Sequence, residues 1–162
     1  MRTPFVRLLI AATVSVAFSA QAADILKANN ATALNDPASW VGGNVPGAGS
    51  VAVWDTTVTA ANNPALGADT LWQGLKVTNP GGLVTVGTGA NILILGTAGI
   101  NMSAATQDVY LNGASLNVGT SDQTWNVGSR YLRVGAGNLA GVLSGSSTIT
   151  ISGSGLVDLN PT

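Results

Sequence analysis

The stretch 109–134, VYLNGASLNVGTSDQTWNVGSRYLRV, decides the fold class. It contains four short apolar pieces: Val109–Leu111, Ser115–Val118, Thr124–Val127 and Tyr131–Val134. Apolar and polar residues alternate within them, as a half-buried strand requires, because successive side chains leave opposite faces of the backbone. Gly119, Gly128 and Gly135 end three of them, and a glycine permits the positive φ that a tight corner needs. Outward from this stretch the pattern continues. Leu83–Val86, Ile92–Leu95, Ile100–Met102, Gly141–Leu143, Thr148–Ile151 and Leu156–Leu159 read the same way, with centres about seven to nine residues apart. Upstream, strands are expected at Val51–Trp54, Thr56–Thr59 and Thr70–Val77, separated by turn signals at Asn35-Asp36-Pro37 and Asn62-Asn63-Pro64.

Two all-β architectures fit short strands at this spacing. In a β-sandwich, hairpins would join neighbours, and Asn112-Gly113 is a fair hairpin signal. In a parallel β-solenoid, strands stack along an axis with Gly and Asn at the corners, Val, Ile and Leu inside, and Thr, Ser and Asn outside. Laying Val86-Gly-Thr88 on Val118-Gly-Thr120 also lays Gly96 on Gly128. A repeat of about 32 residues is a length at which supersecondary units stack. The expectation is therefore a right-handed parallel β-helix, with the sandwich as the alternative. Residues 1–22 read as a signal peptide, 23–80 as an irregular N-terminal β-cap, and 81–162 as solenoid strands. No helix is expected beyond residue 22.

Residues 1–22 carry an export pattern. Arg2 and Arg7 precede an apolar run from Leu8 to Phe18, and Ala20-Gln21-Ala22 supplies small residues before a cut between Ala22 and Ala23. The run is shorter than a bilayer span needs. Export to the cell surface, the medium or the periplasm is expected, with 140 of the 162 residues left in the mature chain and no membrane insertion. That chain keeps four Lys/Arg against seven Asp, so it has no basic stripe for nucleic acid.

The composition narrows the chemistry. Charged residues make up 8% of the chain, and His, Cys and Glu are absent. Without His or Cys there is no Ser-His-Asp or Cys-His triad and no ordinary zinc site. Asp24, Asp36, Asp55, Asp69, Asp108, Asp122 and Asp158 are scattered, which reads as turns and solvated strand edges. No calcium-repeat motif follows Gly81-Gly82. No cofactor, metal or catalytic residue is expected. Among the four tryptophans, Trp40, Trp54 and Trp72 read as a plug in the irregular end of the core. Trp125, inside the repeat, is the candidate for stacking on a sugar. Exposed tryptophans would make a carbohydrate-binding module, the alternative function. Arg130 and Arg133, three apart on a strand, face opposite sides and do not form a joint anion site. Asn30-Ala-Thr32 and Asn101-Met-Ser103 match the glycosylation acceptor pattern by chance.

Trp40-Val-Gly-Gly-Asn-Val-Pro46, followed by Val51-Ala-Val-Trp54, resembles the opening of large exported bacterial proteins that bear autotransporter-associated β-strand repeats. Leu71–Val77 and the Gly-rich strands from Ile92 to Met102 fit the same order. Ser152-Gly-Ser-Gly155-Leu-Val-Asp-Leu159 is similar to the family's G-x-G-x-L-x-L element, though the Lys-Thr that commonly precedes it is missing. The resemblance implies a β-helical passenger region of a longer protein. It also implies display or secretion, with an adhesive or structural role towards an extracellular surface or polysaccharide. It transfers no binding residue.

Overall fold

The computed structural model describes residues 21–87, 89–112, 115–136 and 143–159. Among them, twelve strands run in chain order: β1 Ala23–Leu26, β2 Ser50–Trp54, β3 Thr70–Val77, β4 Val84–Gly87, β5 Leu93–Asn101 and β6 Val109–Asn112. They continue with β7 Leu116–Asn117, β8 Gln123–Asn126, β9 Tyr131–Ala136, β10 Leu143–Ser144, β11 Ile149–Ser152 and β12 Leu156–Leu159. Every ladder between them is parallel. The only helical elements among the described residues are two 3-10 turns, Pro37–Ser39 and Val41–Gly43. The fold is a β-solenoid of about five turns.

The registers give the length of a turn. The shortest step takes Val109 to Leu132, and the longest takes Leu116 to Leu143. All other ladder partners fall between these limits, so one turn is about 25 residues, as in other stacked-repeat proteins. The longer shift read from the glycines is not the structural repeat. It would place Val86 over Val118, whereas Val86 lies over Leu111. The coincidence arises because corner glycines recur several times per turn. The hairpin reading of Asn112-Gly113 also fails. β6 pairs with β4 and β9, while β7 pairs with β5 and β10, so the chain passes from one face to the next there. Gly113, and the part of the expected strand at Gly141–Val142, lie outside the described residues.

Parallel pairing with constant side-chain parity stacks like upon like. One inward column reads Ile25, Ala52, Leu75, Ile100, Trp125, Ile151. A second reads Val84, Val109, Leu132, Val157, and a third Val86, Leu111, Val134, Leu159. Between the last two runs a column of opposite parity: Thr85, Tyr110, Arg133 and Asp158. Burial of each Val, Leu or Ile contributes about 1.5–3 kcal/mol, and stacking lets each one touch the turn before and the turn after.

Corners use a recurrent local device. Asn117 Oδ1 accepts from Gly119 N at 2.7 Å, Asn126 Oδ1 from Gly128 N at 3.0 Å, and Asn101 Oδ1 from Ser103 N at 3.0 Å. The Asn side chain thus closes an Asx turn, and the residue between, Val118, Val127 or Met102, is buried at the corner. Gly128 has φ +56°, and its backbone lies so close to the previous turn that a Cβ would sit 2.5 Å from Met102 O.

The expected division at residue 80 does not separate two folds, because β1, β2 and β3 belong to the same sheet as β5. The irregular part is narrower. Thr56–Thr59 forms a turn rather than a strand, since Asp55 Oδ1 takes Thr57 N and Val58 N bonds Asp55 O. Strand β1, which is not among the strands expected from the sequence, extends the coil at its start. The segment from Ala28 to Trp40 then closes this end, placing Leu34 and Trp40 on the core.

Gly128→Ala is expected to lower stability by about 1–3 kcal/mol, through left-handed strain and the clash with Met102 O. Gly47→Ala, which meets nothing within 4 Å, is the control and should stay within about 0.5 kcal/mol of wild type. Urea titration of both variants checks the difference.

Candidate functional site

The tryptophans do not form a surface platform. Trp40, Trp54 and Trp72 are buried together at the N-terminal end, as the plug reading requires. Their ring centroids lie 5.7–6.0 Å apart, and Trp40 meets both of the others edge to face. Such pairs add about 0.5–1.5 kcal/mol each beyond area burial. Trp40 Nε1 donates to Leu34 O at 2.9 Å, which fixes the cap over the plug. Trp125 is 0% exposed and stands between Ile100 and Ile151 in the inward column. Its Nε1 donates to Gln123 Oε1, and Gln123 Nε2 donates to Leu95 O and Val118 O. The suggestion that Trp125 stacks on a ligand is therefore corrected. The parity of β8 turns it inward, and the ring has no open face.

All seven carboxylates hold structural partners. Asp69, Asp108 and Asp122 each accept the backbone N–H of a residue one turn further on: Ile92 at 2.9 Å, Tyr131 at 3.1 Å and Thr148 at 2.9 Å. Asp36 caps the first 3-10 turn through Ala38 N, and Asp55 accepts from Thr57 N. Asp24 pairs with Lys76 at 2.7 Å, and Asp158 takes both the Tyr131 hydroxyl at 2.6 Å and the Arg133 guanidinium at 3.4 Å. Among the described residues, no three potential metal ligands converge. The two Asn-x-Ser/Thr matches also have local roles. Asn101 makes its Asx turn, and Asn30 Oδ1 accepts from Thr32 N and from the Lys27 ammonium.

Shallow grooves mark the outer surface. One of about 330 Å³ is bordered by Asp24, Gln73, Lys76, Thr97 and Asn101, where the Gln73 amide donates to the Thr97 hydroxyl at 2.6 Å. Another, of about 550 Å³, lies beside Asp108, Arg130, Tyr131 and Leu156. Tyr110 meets Tyr131 edge to face at 6.0 Å there. Arg133 is tied to Asp158 on the outward column, while Arg130 stands exposed before β9. The two arginines thus remain apart in role, as their spacing implies. The arrangement suits hydrogen bonding to a partner surface; among the described residues it brings together no base and nucleophile.

Among the described residues, Lys27 is the one fully buried charge. Its ammonium donates to Ala28 O and Asn30 O, each at 2.8 Å, and to Asn30 Oδ1 at 3.0 Å. No carboxylate is among these partners. Burial lowers its pKa from the usual 10.5 to about 8. One signal in the sequence could have pointed to this role: Lys27 is the only cation between Arg7 and Lys76. Sealed by the cap, it anchors the turn at Ala28–Asn30 and offers no amine to a substrate.

A lowered lysine pKa penalises the fold while both states are protonated, so the penalty is complete below about pH 8. It fades as pH rises towards 10.5, because the unfolded chain then binds more protons than the folded one. Tyr131 has the opposite sign. Its hydrogen bond to Asp158 raises the phenol above 10.0, and the stability it adds below pH 10 is lost as pH climbs through the folded value. Urea unfolding at pH 7.5 and 9.5 is expected to show a gain of about 1–2 kcal/mol at the higher pH, and Lys27→Met should abolish the gain.

Compared with known proteins, the chain matches no family model, no curated protein and no solved structure.

Proposed function

We propose that this chain is a non-catalytic β-solenoid scaffold of the cell exterior, exported through residues 1–22, with a structural or adhesive role. The observation that carries the reading is the engagement of all seven carboxylates in ties that hold the coil together. Beside these carboxylates and the exposed Arg130, the outward columns are neutral and repetitive. Asn101, Asn126 and Ser152 stack on one face, and Thr124 and Thr150 run beside them. A surface of this kind binds through many weak contacts along its length.

Two further points support the reading. Strand β1 begins at Ala23, the first residue after the expected cut, and its amide already bonds Gly49 O at 3.2 Å. Cleavage there would leave the coil whole. The resemblance to passengers with autotransporter-associated repeats also gains a physical content, since its Trp40 and Trp54 are the pair that closes the solenoid end. The carbohydrate module based on exposed tryptophans loses its basis, because all four indoles are buried.

Expression of the full chain in a Gram-negative host, with fractionation and N-terminal sequencing, tests export. The expected product starts at Ala23 outside the cytoplasm; a cytoplasmic product that keeps Met1 contradicts the reading. Beads coated with the mature protein should adhere to cell or polymer surfaces more than beads coated with heat-unfolded protein. Equal retention of both would remove the adhesive role.

A further inference from the structure

The chain has two tyrosines, and they meet on the outer surface. Tyr110 on β6 and Tyr131 on β9 alternate with the buried Val109, Leu111 and Leu132, so both point outward. Both reach solvent, whereas all four indoles are buried. Tyr131 lies over Leu156 of β12, which is 63% exposed. The three side chains form an apolar stripe across three consecutive turns of the coil. Outward side chains leave the coil sideways. A further turn stacked beneath β12 would lengthen the stripe and not cover it.

Charged groups flank the stripe in balance. Asp108 and Arg130 border a groove of about 550 Å³ beside Tyr131 and Leu156. Arg133 and Asp158 pair with each other on the neighbouring outward column. Two guanidinium groups against two carboxylates leave no net charge. The Tyr131 ring is held from two sides: its hydroxyl donates to Asp158 at 2.6 Å, and its backbone N–H donates to Asp108 Oδ1 at 3.1 Å. Tyr110 abuts it edge to face, with centroids 6.0 Å apart. A ring already fixed in place loses little freedom when a ligand stacks on it.

We propose that this groove binds a neutral polysaccharide, with one sugar ring on the Tyr131–Leu156 stripe and its hydroxyls bonded to Asp108 and Arg130. The inference rests on the adhesive reading above and names its ligand. A pyranose ring has apolar C–H faces and a rim of hydroxyls that both donate and accept. The negative face of an aromatic ring suits the first, and the charged pair suits the second. A carboxylate offers about four acceptor sites and a guanidinium five donors. A polyanion would meet Asp108 and Asp158, and a polycation would meet Arg130 and Arg133, so the balance favours an uncharged chain. A peptide strand finds no edge here, because β9 already pairs with both β6 and β12. An aromatic pair on neighbouring strands also steadies the sheet, so binding has to be measured apart from folding.

Native electrophoresis of the mature protein through gels containing hydroxyethylcellulose, galactomannan or dextran reads binding as loss of mobility, with a polygalacturonate gel and a plain gel for comparison. At least one neutral polymer is expected to slow the protein by about two-fold where its concentration equals Kd. Tyr131→Ala and Arg130→Gln should each restore most of the mobility. The Arg130 side chain is exposed, so Arg130→Gln should leave the circular dichroism spectrum unchanged. On titration with a short oligosaccharide of the retarding polymer, the Tyr131 ring resonances should shift, and those of the buried Trp125 should not. Absence of retardation in every neutral gel overturns the proposal. So does retardation confined to polygalacturonate, or retardation that both variants keep. Coated beads that adhere without any retardation remove this site alone; loss of both removes the adhesive reading with it.

Discussion

Parallel pairing of each turn with the next governs everything else in this molecule. The backbone of one turn supplies the hydrogen-bond partners of its neighbours, at the fixed strand spacing of about 4.8 Å. A side chain that points inward in one turn must therefore stack on one that points inward in the next. The cross-section has to stay nearly constant, which keeps every turn close to the same length. Variation is confined to corners, where Asn closes a turn and Gly adopts a backbone that a Cβ would block. The carboxylates obey the same constraint. Asp69, Asp108 and Asp122 reach across one strand spacing to the next turn's amide, adding a side-chain tie beside the ladder.

The constraint also explains what the surface looks like. In a closed globular core, a few polar side chains can converge from distant parts of the chain. In a solenoid each turn meets only its neighbours, so outward residues form columns rather than pockets. Tyr110, Arg133 and Asp158 make such a column, in line with the buried Thr85, and its charges neutralise each other locally through the Arg133–Asp158 pair. A column of this sort suits extended contact. The two ends are the places where the rule breaks. One end resolves it with Leu34, Trp40 and the buried ammonium of Lys27, whereas the other leaves Ile151 and Leu159 without a described covering turn.

Much of this is legible in the sequence, for a physical reason. Alternation in Leu116–Val118, Gln123–Val127 and Tyr131–Val134 reports parity directly, because each strand is half buried. The period is harder to read. Glycines recur both at corners and within strands, so Gly96, inside β5, falls into alignment with Gly128, at the corner after β8. The true step is carried by equivalent corner residues such as Asn101 and Asn126 and by aliphatic parity, signals that need the register to be read. Trp125, between the polar Thr124 and Asn126, is inward by the same alternation and pairs with Ile100; what blurs the pattern is Gln123, a polar residue that is also buried on the inward side. Strand β1 escapes a reading by pattern because Ala23–Leu26 is short and pairs on one side with the distant Ser50–Val53. The inter-turn role of the aspartates has no local sequence signature, and that of Lys27 shows only in its isolation from other cations.

The most direct test is methyl–methyl nuclear Overhauser contact in the isotope-labelled mature protein. An unbroken series is expected from Val84 to Val109, from Val109 to Leu132, and from Leu132 to Val157, since these residues are consecutive partners in one inward column. Contacts between Leu111 and Leu116 across a hairpin, or between Val86 and Val118 at the longer glycine step, would contradict it.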